Sequence, residues 1–129
     1  MDRNSPLSNA IPIDPDEILK GIVEWIEIES PSTDAAAVNR MVDRAEADMK
    51  GLGARIERVP GTDDKGDVLI AKSDWGEEPG ILILSHLDTV HPLGMIEEAL
   101  KVRREGDSIF GPGIYDMKGG VYLALAAYR

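Results

Sequence analysis

Two apolar runs restrict the possible folds of this chain more than any other feature: VLIA, within DVLIA at 67–71, and ILIL at 81–84. Continuous apolar segments of this length are typical of strands that are covered on both faces. The polar KSDWGEEPG between them predicts a hairpin-like connection. Two further segments predict shorter strands, namely ARIERV at 54–59 and LKVRREGDSIF at 100–110, which is expected to turn at its Gly-Asp pair.

Three segments predict helices around these strands. The first begins with DPDE, in which Asp14 is the expected N-cap and Glu17 completes a capping box. The second fits 34–52, with Gly53 as its stop, and the third fits 117–129. The residues expected on the buried face of the third helix are Val121, Ala124, Leu125 and Tyr128. Together these segments predict an α/β fold in which a mixed β-sheet is flanked by helices.

Composition excludes several classes of protein. The 129 residues are enough for one domain with a hydrophobic core. The net charge of −10 argues against a nucleic-acid partner, which requires a basic surface. No segment has the apolar length of a signal peptide or a transmembrane helix, so we predict a cytoplasmic protein without membrane contact. Because cysteine is absent, any metal must be held by His, Asp, Glu or backbone oxygen.

Both histidines of the chain lie in SHLDTVH at 85–91, directly after the run ILIL. His86 and Asp88 are two residues apart, so in extended backbone their side chains point to the same side, with Cα atoms ~6–7 Å apart. An aspartate at that position can accept the N–H of one ring nitrogen and leave the other nitrogen free as a ligand. This pattern is typical of a carboxylate–histidine–metal arrangement.

A second motif, GPGIYDMKGG at 111–120, places Asp116 at a predicted helix start among glycines. These glycines let the backbone pass close to a ligand or an ion. A carboxylate can bridge two divalent cations, which a histidine cannot do, so Asp116 suits a dinuclear metal site. The motif lacks the third glycine of a dinucleotide-binding GxGxxG and the Ser or Thr that follows the lysine of a phosphate-binding loop. Ser85 lacks the flanking glycines of a nucleophile elbow.

Each of these residues also has a simpler interpretation. A single histidine after a strand is more often a packing or surface residue than a ligand. Asp88 is of a type common in turns, and Asp116 can interact with the helix dipole alone. The occurrence of both motifs favours the metal site. Lys118 is expected to be structural or solvent-exposed.

SHLDTVHP followed by GPGIYDMKGG resembles the two N-terminal signatures of the di-zinc metallopeptidase family. That family includes glutamate carboxypeptidase, acetylornithine deacetylase, succinyl-diaminopimelate desuccinylase and aminoacylase, and the sequence is most similar to its glutamate-carboxypeptidase-like branch. The resemblance extends from about Ile18 to the end of the chain. It implies a zinc-exopeptidase-like catalytic domain of which residues 1–129 are the N-terminal part, without the lid or dimerisation domain and without the C-terminal catalytic part.

The resemblance also implies roles for individual residues. His86 ligates one zinc ion, Asp88 is the catalytic aspartate that orients His86, and Asp116 bridges the two Zn2+ ions of a complete site, for which Co2+ could substitute. A ring nitrogen of His86 and a carboxylate oxygen of Asp116 should then lie within roughly 5 Å of each other. The peptide bond between Asp116 and Met117 should be cis. The family position that matches His91 varies and is not a ligand, so His91 is better placed in a loop or on the substrate side.

The family's general base belongs to a Glu-Glu pair that follows the bridging aspartate, and this chain has no such pair. The pairs at 77–78 and 97–98 precede Asp116, so we interpret them as solvated surface. The chain alone is therefore expected to be inactive.

The function that the resemblance implies is zinc-dependent, carboxypeptidase-like hydrolysis of amide bonds. The expected substrate is a small peptide or an N-acyl amino acid, and the full-length form is compatible with a homodimer. An N-acyl amino acid deacylase is the alternative within this class of enzyme. A non-catalytic structural or interaction fragment is the alternative from a different class.

Overall fold

The computed structural model describes residues 13–76 and 79–129. Its three α-helices are joined by short strands, one 3-10 turn and one kinked helical turn. In chain order the elements are α1 (Pro15–Ile26), α2 (Ala35–Gly51), β1 (Arg55–Val59), β2 (Val68–Lys72), the 3-10 turn (Met95–Glu97), β3 (Arg103–Glu105), β4 (Ser108–Phe110), the kinked turn (Ile114–Lys118) and α3 (Gly119–Tyr128). Within the described ranges, no helix has the length and apolarity needed to cross a membrane.

The first two helices begin where the sequence predicted. The Asp14 carboxylate accepts hydrogen bonds from the backbone N–H groups of Asp16 and Glu17, at 3.0 and 3.3 Å. Asp34 caps α2 in the same way, accepting from the N–H of Ala37 at 2.9 Å. Each cap satisfies donors that the first helical turn leaves without a partner, so the start of each helix is determined locally.

The strands form two small antiparallel sheets. β1 pairs with β2, in a register that places Arg55 opposite Lys72, and β3 pairs with β4 as the predicted hairpin. Gly106 takes the positive φ of 59° that the turn of this hairpin requires. One isolated parallel bridge joins Pro31 to Thr89. The α/β class is confirmed.

The prediction of a covered strand at 81–84 is wrong for this chain. These four residues form no strand, and their exposed fractions range from 64% to 94%. The predicted hairpin between 67–71 and 81–84 is also absent, because β2 pairs with β1 instead. An apolar run becomes a covered strand only where other strands and helices lie beside it, and the described residues place none there.

A cluster of ion pairs holds the first sheet against α2. The Arg58 guanidinium on β1 contacts Asp43 at 2.6 Å and Glu46 at 3.1 Å, both on α2. It also contacts Asp67, just before β2, at 2.7 Å. One side chain therefore joins both strands of this sheet to the helix.

The hydrophobic core lies where α1, α2 and α3 meet. Trp25 and Tyr122 pack edge to face, with ring centroids 5.1 Å apart. Gly21 permits this contact, because a Cβ there would overlap the Tyr122 phenol. Leu125 is buried on the inner face of α3 as predicted, whereas Tyr122 is a buried residue that the predicted face omitted. The remaining members of this core are Ile22, Ile26, Met41 and Ala45.

Candidate metal centre

The segment that carries His86 and Asp88 is fixed by the connection between α1 and α2. Thr89 N donates to Ser30 O at 2.8 Å, and Ser32 N donates to Thr89 O at 2.9 Å. The buried Ser30 hydroxyl donates to Leu87 O at 2.7 Å. Hydrogen bonds of the main chain and of Ser30 thus join 87–89 to 30–32, although the two segments are more than 50 positions apart in the sequence.

Asp116 lies in the kinked turn that leads into α3. Gly113 begins this turn with a φ of 70°, and a Cβ at that position would overlap the Thr89 side chain. Close approach without a side chain therefore brings the turn against the His86 segment. The Asp116–Met117 peptide bond is cis, which confirms that prediction.

The three predicted site residues lie together. His86 Nε2 is 2.8 Å from Asp116 Oδ1, inside the limit of roughly 5 Å expected for groups of one dinuclear site. On the other side of the ring, Nδ1 is 3.0 Å from the Asp88 carbonyl oxygen and 3.3 Å from Asp88 Oδ1. Each ring nitrogen therefore faces a different aspartate. The nearest acceptor of Nδ1 is the Asp88 carbonyl, whereas the sequence had predicted its carboxylate.

The electrostatics of this cluster favour a charged imidazole. Burial lowers the pKa of His86, but the hydrogen bonds to the Asp88 carbonyl and to Asp116, together with both carboxylate charges, raise it further than burial lowers it. The net result is a pKa above the ordinary histidine value. The two carboxylates create a negative field around the ring, and such a field also attracts a metal cation.

Lys118 is structural rather than solvent-exposed. Its side chain is only 1% exposed, and its Nζ donates to Ile28 O at 2.5 Å and to Trp25 O at 3.3 Å. Trp25 lies in the last turn of α1, where the helix dipole favours a cation, and Ile28 follows the C-cap of that helix. Burial lowers the pKa of Lys118 to about 8, against the opposing effect of the Glu29 charge. The turn that carries Asp116 is thereby tied to α1.

Sequence reasoning missed the part that the α1–α2 connection plays at this site. SPST at 30–33 precedes the second predicted helix and belongs to neither site motif. In the structure, the Ser32 hydroxyl donates to Asp88 Oδ2 at 2.5 Å, and Glu29 accepts from the N–H groups of Gly94 and Ile96 at 2.9 and 3.1 Å. No local sequence pattern predicts these hydrogen bonds, because each joins residues more than 50 positions apart.

The other predicted residues lie outside this cluster. His91 lines an open pocket of about 450 Å3 that Asp116 also lines, together with Arg103 and Phe110. Glu97 and Glu98 are exposed, as predicted. The pair at 77–78 lies outside the described residues.

The residues present suit part of a zinc site. Imidazole nitrogen and carboxylate oxygen are common zinc ligands, and here one of each comes within hydrogen-bonding distance. Both are accessible, with exposed side-chain fractions of 45% for His86 and 73% for Asp116. Within the parts of the chain that the structure covers, however, no group of three or more His, Cys, Asp or Glu could hold a metal ion. The donor set fits zinc in kind and is incomplete in number.

Comparison with known proteins gives relatives that are much longer than this chain. Carboxypeptidase G2 of Pseudomonas sp. (strain RS-16) is 31% identical over 119 residues, which is 92% of this chain and 28% of that protein. A candidate succinyl-diaminopimelate desuccinylase of Mycobacterium tuberculosis (strain CDC 1551 / Oshkosh) is 33% identical over 104 residues, 79% of this chain and 26% of that protein. The chain thus spans about a quarter of the length of these relatives. No family model matches it.

The fold is also that of a known peptidase structure. Human carnosine dipeptidase 1 superposes with a TM-score of 0.65 at 24% identity, over 88% of this chain and 28% of that one. This likeness concerns the fold, and the sequence relatives supply the family. The chain belongs to the metallopeptidase family that includes glutamate carboxypeptidase, succinyl-diaminopimelate desuccinylase and aminoacylase.

Proposed function

We propose that this chain forms part of a zinc-dependent hydrolase that cleaves amide bonds in peptides or N-acyl amino acids, with a carboxypeptidase-like specificity. The observation that carries the proposal is the approach of His86 Nε2 to Asp116 Oδ1 at 2.8 Å, with the opposite ring nitrogen turned to Asp88. A nitrogen and an oxygen donor so close together can act on the same ion.

The three residues take different parts in this proposal. His86 offers Nε2 as a ligand, and Asp116 offers a carboxylate that can bridge two ions. Asp88 accepts the Nδ1 proton, through its carbonyl or its carboxylate, so that in the neutral ring Nε2 carries the lone pair that would bind the metal. When bound, zinc polarises a carbonyl oxygen and makes a bound water acidic enough to attack at neutral pH; Co2+ could take its place.

This set of residues is insufficient for catalysis by itself. A catalytic zinc ordinarily has three protein ligands and one open position, and the hydrolysis also requires a general base. We therefore propose that residues 1–129 are the N-terminal part of a catalytic domain and are inactive alone. The cytoplasmic location and the homodimer expected from the sequence stay predictions.

The carboxypeptidase-like specificity is favoured by the relative named carboxypeptidase G2, which matches 92% of the chain. The pocket beside Asp116 is also lined by Arg103, whose guanidinium is a cationic group that can bind a substrate carboxylate. A deacylase of N-acyl amino acids is the second candidate, because another relative is a candidate desuccinylase. Hydrolysis of N-acyl glutamate compared with N-succinyl substrates distinguishes the two.

Zinc binding is the first test. Titration of the chain with Zn2+ should show weak binding that Asp116→Ala abolishes, because this change removes one of two available donors. Asp107→Ala is the matched control, since Asp107 is an exposed acid in the β3–β4 turn, and it should bind as the wild type does. Equal zinc affinity for wild type and Asp116→Ala would contradict the proposed metal centre.

Activity is the second test. The 129-residue chain should not hydrolyse either substrate, because it lacks the general base, which typically contributes ~10²–10⁴-fold to rate. A polypeptide that continues this sequence through a Glu-Glu pair and a distant histidine should hydrolyse one of them and lose activity on chelation. Metal-dependent turnover by residues 1–129 alone would show that the catalytic groups are misassigned.

A further inference from the structure

We propose that Ser32 is a positioning residue of the candidate metal centre: its hydroxyl holds the Asp88 carboxylate against His86. The expected effect on metal affinity rests on the proposed function, whereas the positioning of Asp88 rests on the contacts that Ser32 makes. Ser32 belongs to neither of the two site motifs and lies in the connection between α1 and α2.

The Asp88 carboxylate has one partner on each oxygen. Oδ2 accepts the hydrogen bond from Ser32 Oγ at 2.5 Å, while Oδ1 lies 3.3 Å from His86 Nδ1. The Asp88 side chain is 38% exposed, so water can compete for both oxygens. Because a hydrogen bond from Ser32 fixes one oxygen, it also fixes the direction in which the other oxygen points.

Ser32 can act in this way because its own backbone is fixed. Its N–H donates to Thr89 O at 2.9 Å, next to the parallel bridge between Pro31 and Thr89. The Ser32 hydroxyl also lies 3.1 Å from Thr89 O. The donor and the carboxylate are therefore held on two segments that are already joined, so the Ser32–Asp88 bond costs little additional conformational entropy.

Loss of the hydroxyl should release the carboxylate without releasing the loop. In Ser32→Ala, the backbone bonds to Thr89 remain, and Asp88 can rotate toward water. His86 Nδ1 then keeps the Asp88 carbonyl at 3.0 Å as its acceptor but loses the fixed negative charge beside the ring. Groups that orient a metal ligand typically contribute 10–100-fold to metal affinity. Ser32 contacts the orienting group and not the ligand, so its contribution should be near the lower limit, at roughly tenfold.

Ser30 provides the matched control. Its hydroxyl makes a bond of 2.7 Å to Leu87 O in the same pair of segments, but it does not touch Asp88. Ser30→Ala therefore removes a buried hydrogen bond from the loop and leaves the Ser32–Asp88 bond in place. A general weakening of the loop should appear in both variants, whereas positioning of Asp88 should be lost only in Ser32→Ala.

Two measurements on the full chain test the proposal. Three-bond Hα–Hβ couplings of Asp88, measured without metal, report its χ1 populations, and Zn2+ titration reports affinity. We expect one dominant rotamer in wild type and Ser30→Ala, averaged rotamers in Ser32→Ala, and a zinc affinity lower by roughly tenfold in Ser32→Ala. A fixed Asp88 rotamer in Ser32→Ala, equal averaging in Ser30→Ala, or averaging without a loss of affinity would each overturn the inference.

The failure of this inference can be separated from failure of the proposed function. If the wild type binds no Zn2+, the proposed metal centre is refuted, and so is the role of Ser32 in metal binding. If the wild type binds Zn2+ and Asp116→Ala does not, while Ser32→Ala binds as the wild type does, the metal centre stands and only the role of Ser32 is refuted.

Discussion

Replacement of Lys118 by methionine tests how the Asp116 turn is held against α1. Methionine keeps an unbranched apolar side chain but removes the ammonium that donates to Ile28 O and Trp25 O. The loss of these donors destabilises the fold, while removal of a buried charge stabilises it. The two effects oppose each other at neutral pH, so the informative quantity is how the difference in stability between wild type and variant changes with pH.

The sign of this change follows from the lowered pKa. The pKa of Lys118 is about 8 in the folded chain, against 10.5 for a lysine exposed to water. Between these values the unfolded state binds more protons than the folded state, so the stability of the wild type rises with pH. The penalty for burying the charge is fully present below pH 8 and is relieved as pH approaches 10.5. Between pH 7 and pH 10 the change is on the order of 2–3 kcal/mol.

Urea unfolding of both proteins at pH 7 and pH 10, in the presence of a chelator, measures how the stability difference between wild type and variant changes with pH. We expect the free energy of unfolding of Lys118→Met, relative to wild type, to be lower at pH 10 than at pH 7 by on the order of 2–3 kcal/mol. All other titrating groups are common to both proteins and cancel. Lys20→Met, which removes an exposed ammonium from α1, should show no such pH dependence. A difference between wild type and Lys118→Met that stays constant with pH would refute the burial of this lysine.

Two further predictions concern the core and the exposed apolar run. Met41→Ala should lower the free energy of unfolding by about 2–5 kcal/mol, because Met41 is fully buried. Arg40→Ala, at an exposed position of the same helix, should change it by less than about 0.5 kcal/mol. A loss below about 1 kcal/mol for Met41→Ala would contradict the described core. Backbone amides at 81–84 should exchange with deuterium far faster than those of α2, because these four residues form no strand; protection equal to that of α2 would mean that this run pairs in solution.

The sequence determined the features that depend on neighbouring residues. Asp14 and Asp34 identified the starts of two helices, because a cap and the amides it binds lie within three positions of each other. The β3–β4 hairpin was predictable for the same reason, since Gly106 supplies the φ that its turn needs. His86 and Asp116 could be selected as site residues because each lies in a short motif with a chemical rationale.

Tertiary structure alone decided which distant segments meet. The run at 81–84 has the composition of a buried strand, but apolar composition does not specify a partner, and β2 pairs with β1 instead. Tyr122 is buried because Gly21, on another helix, leaves room for its ring. The bond from Ser32 to Asp88 spans 56 positions, and Lys118 reaches carbonyls about 90 positions away. Local pattern thus selected the chemical groups, whereas their mutual distances depend on long-range packing and hydrogen bonds that no short stretch of sequence encodes.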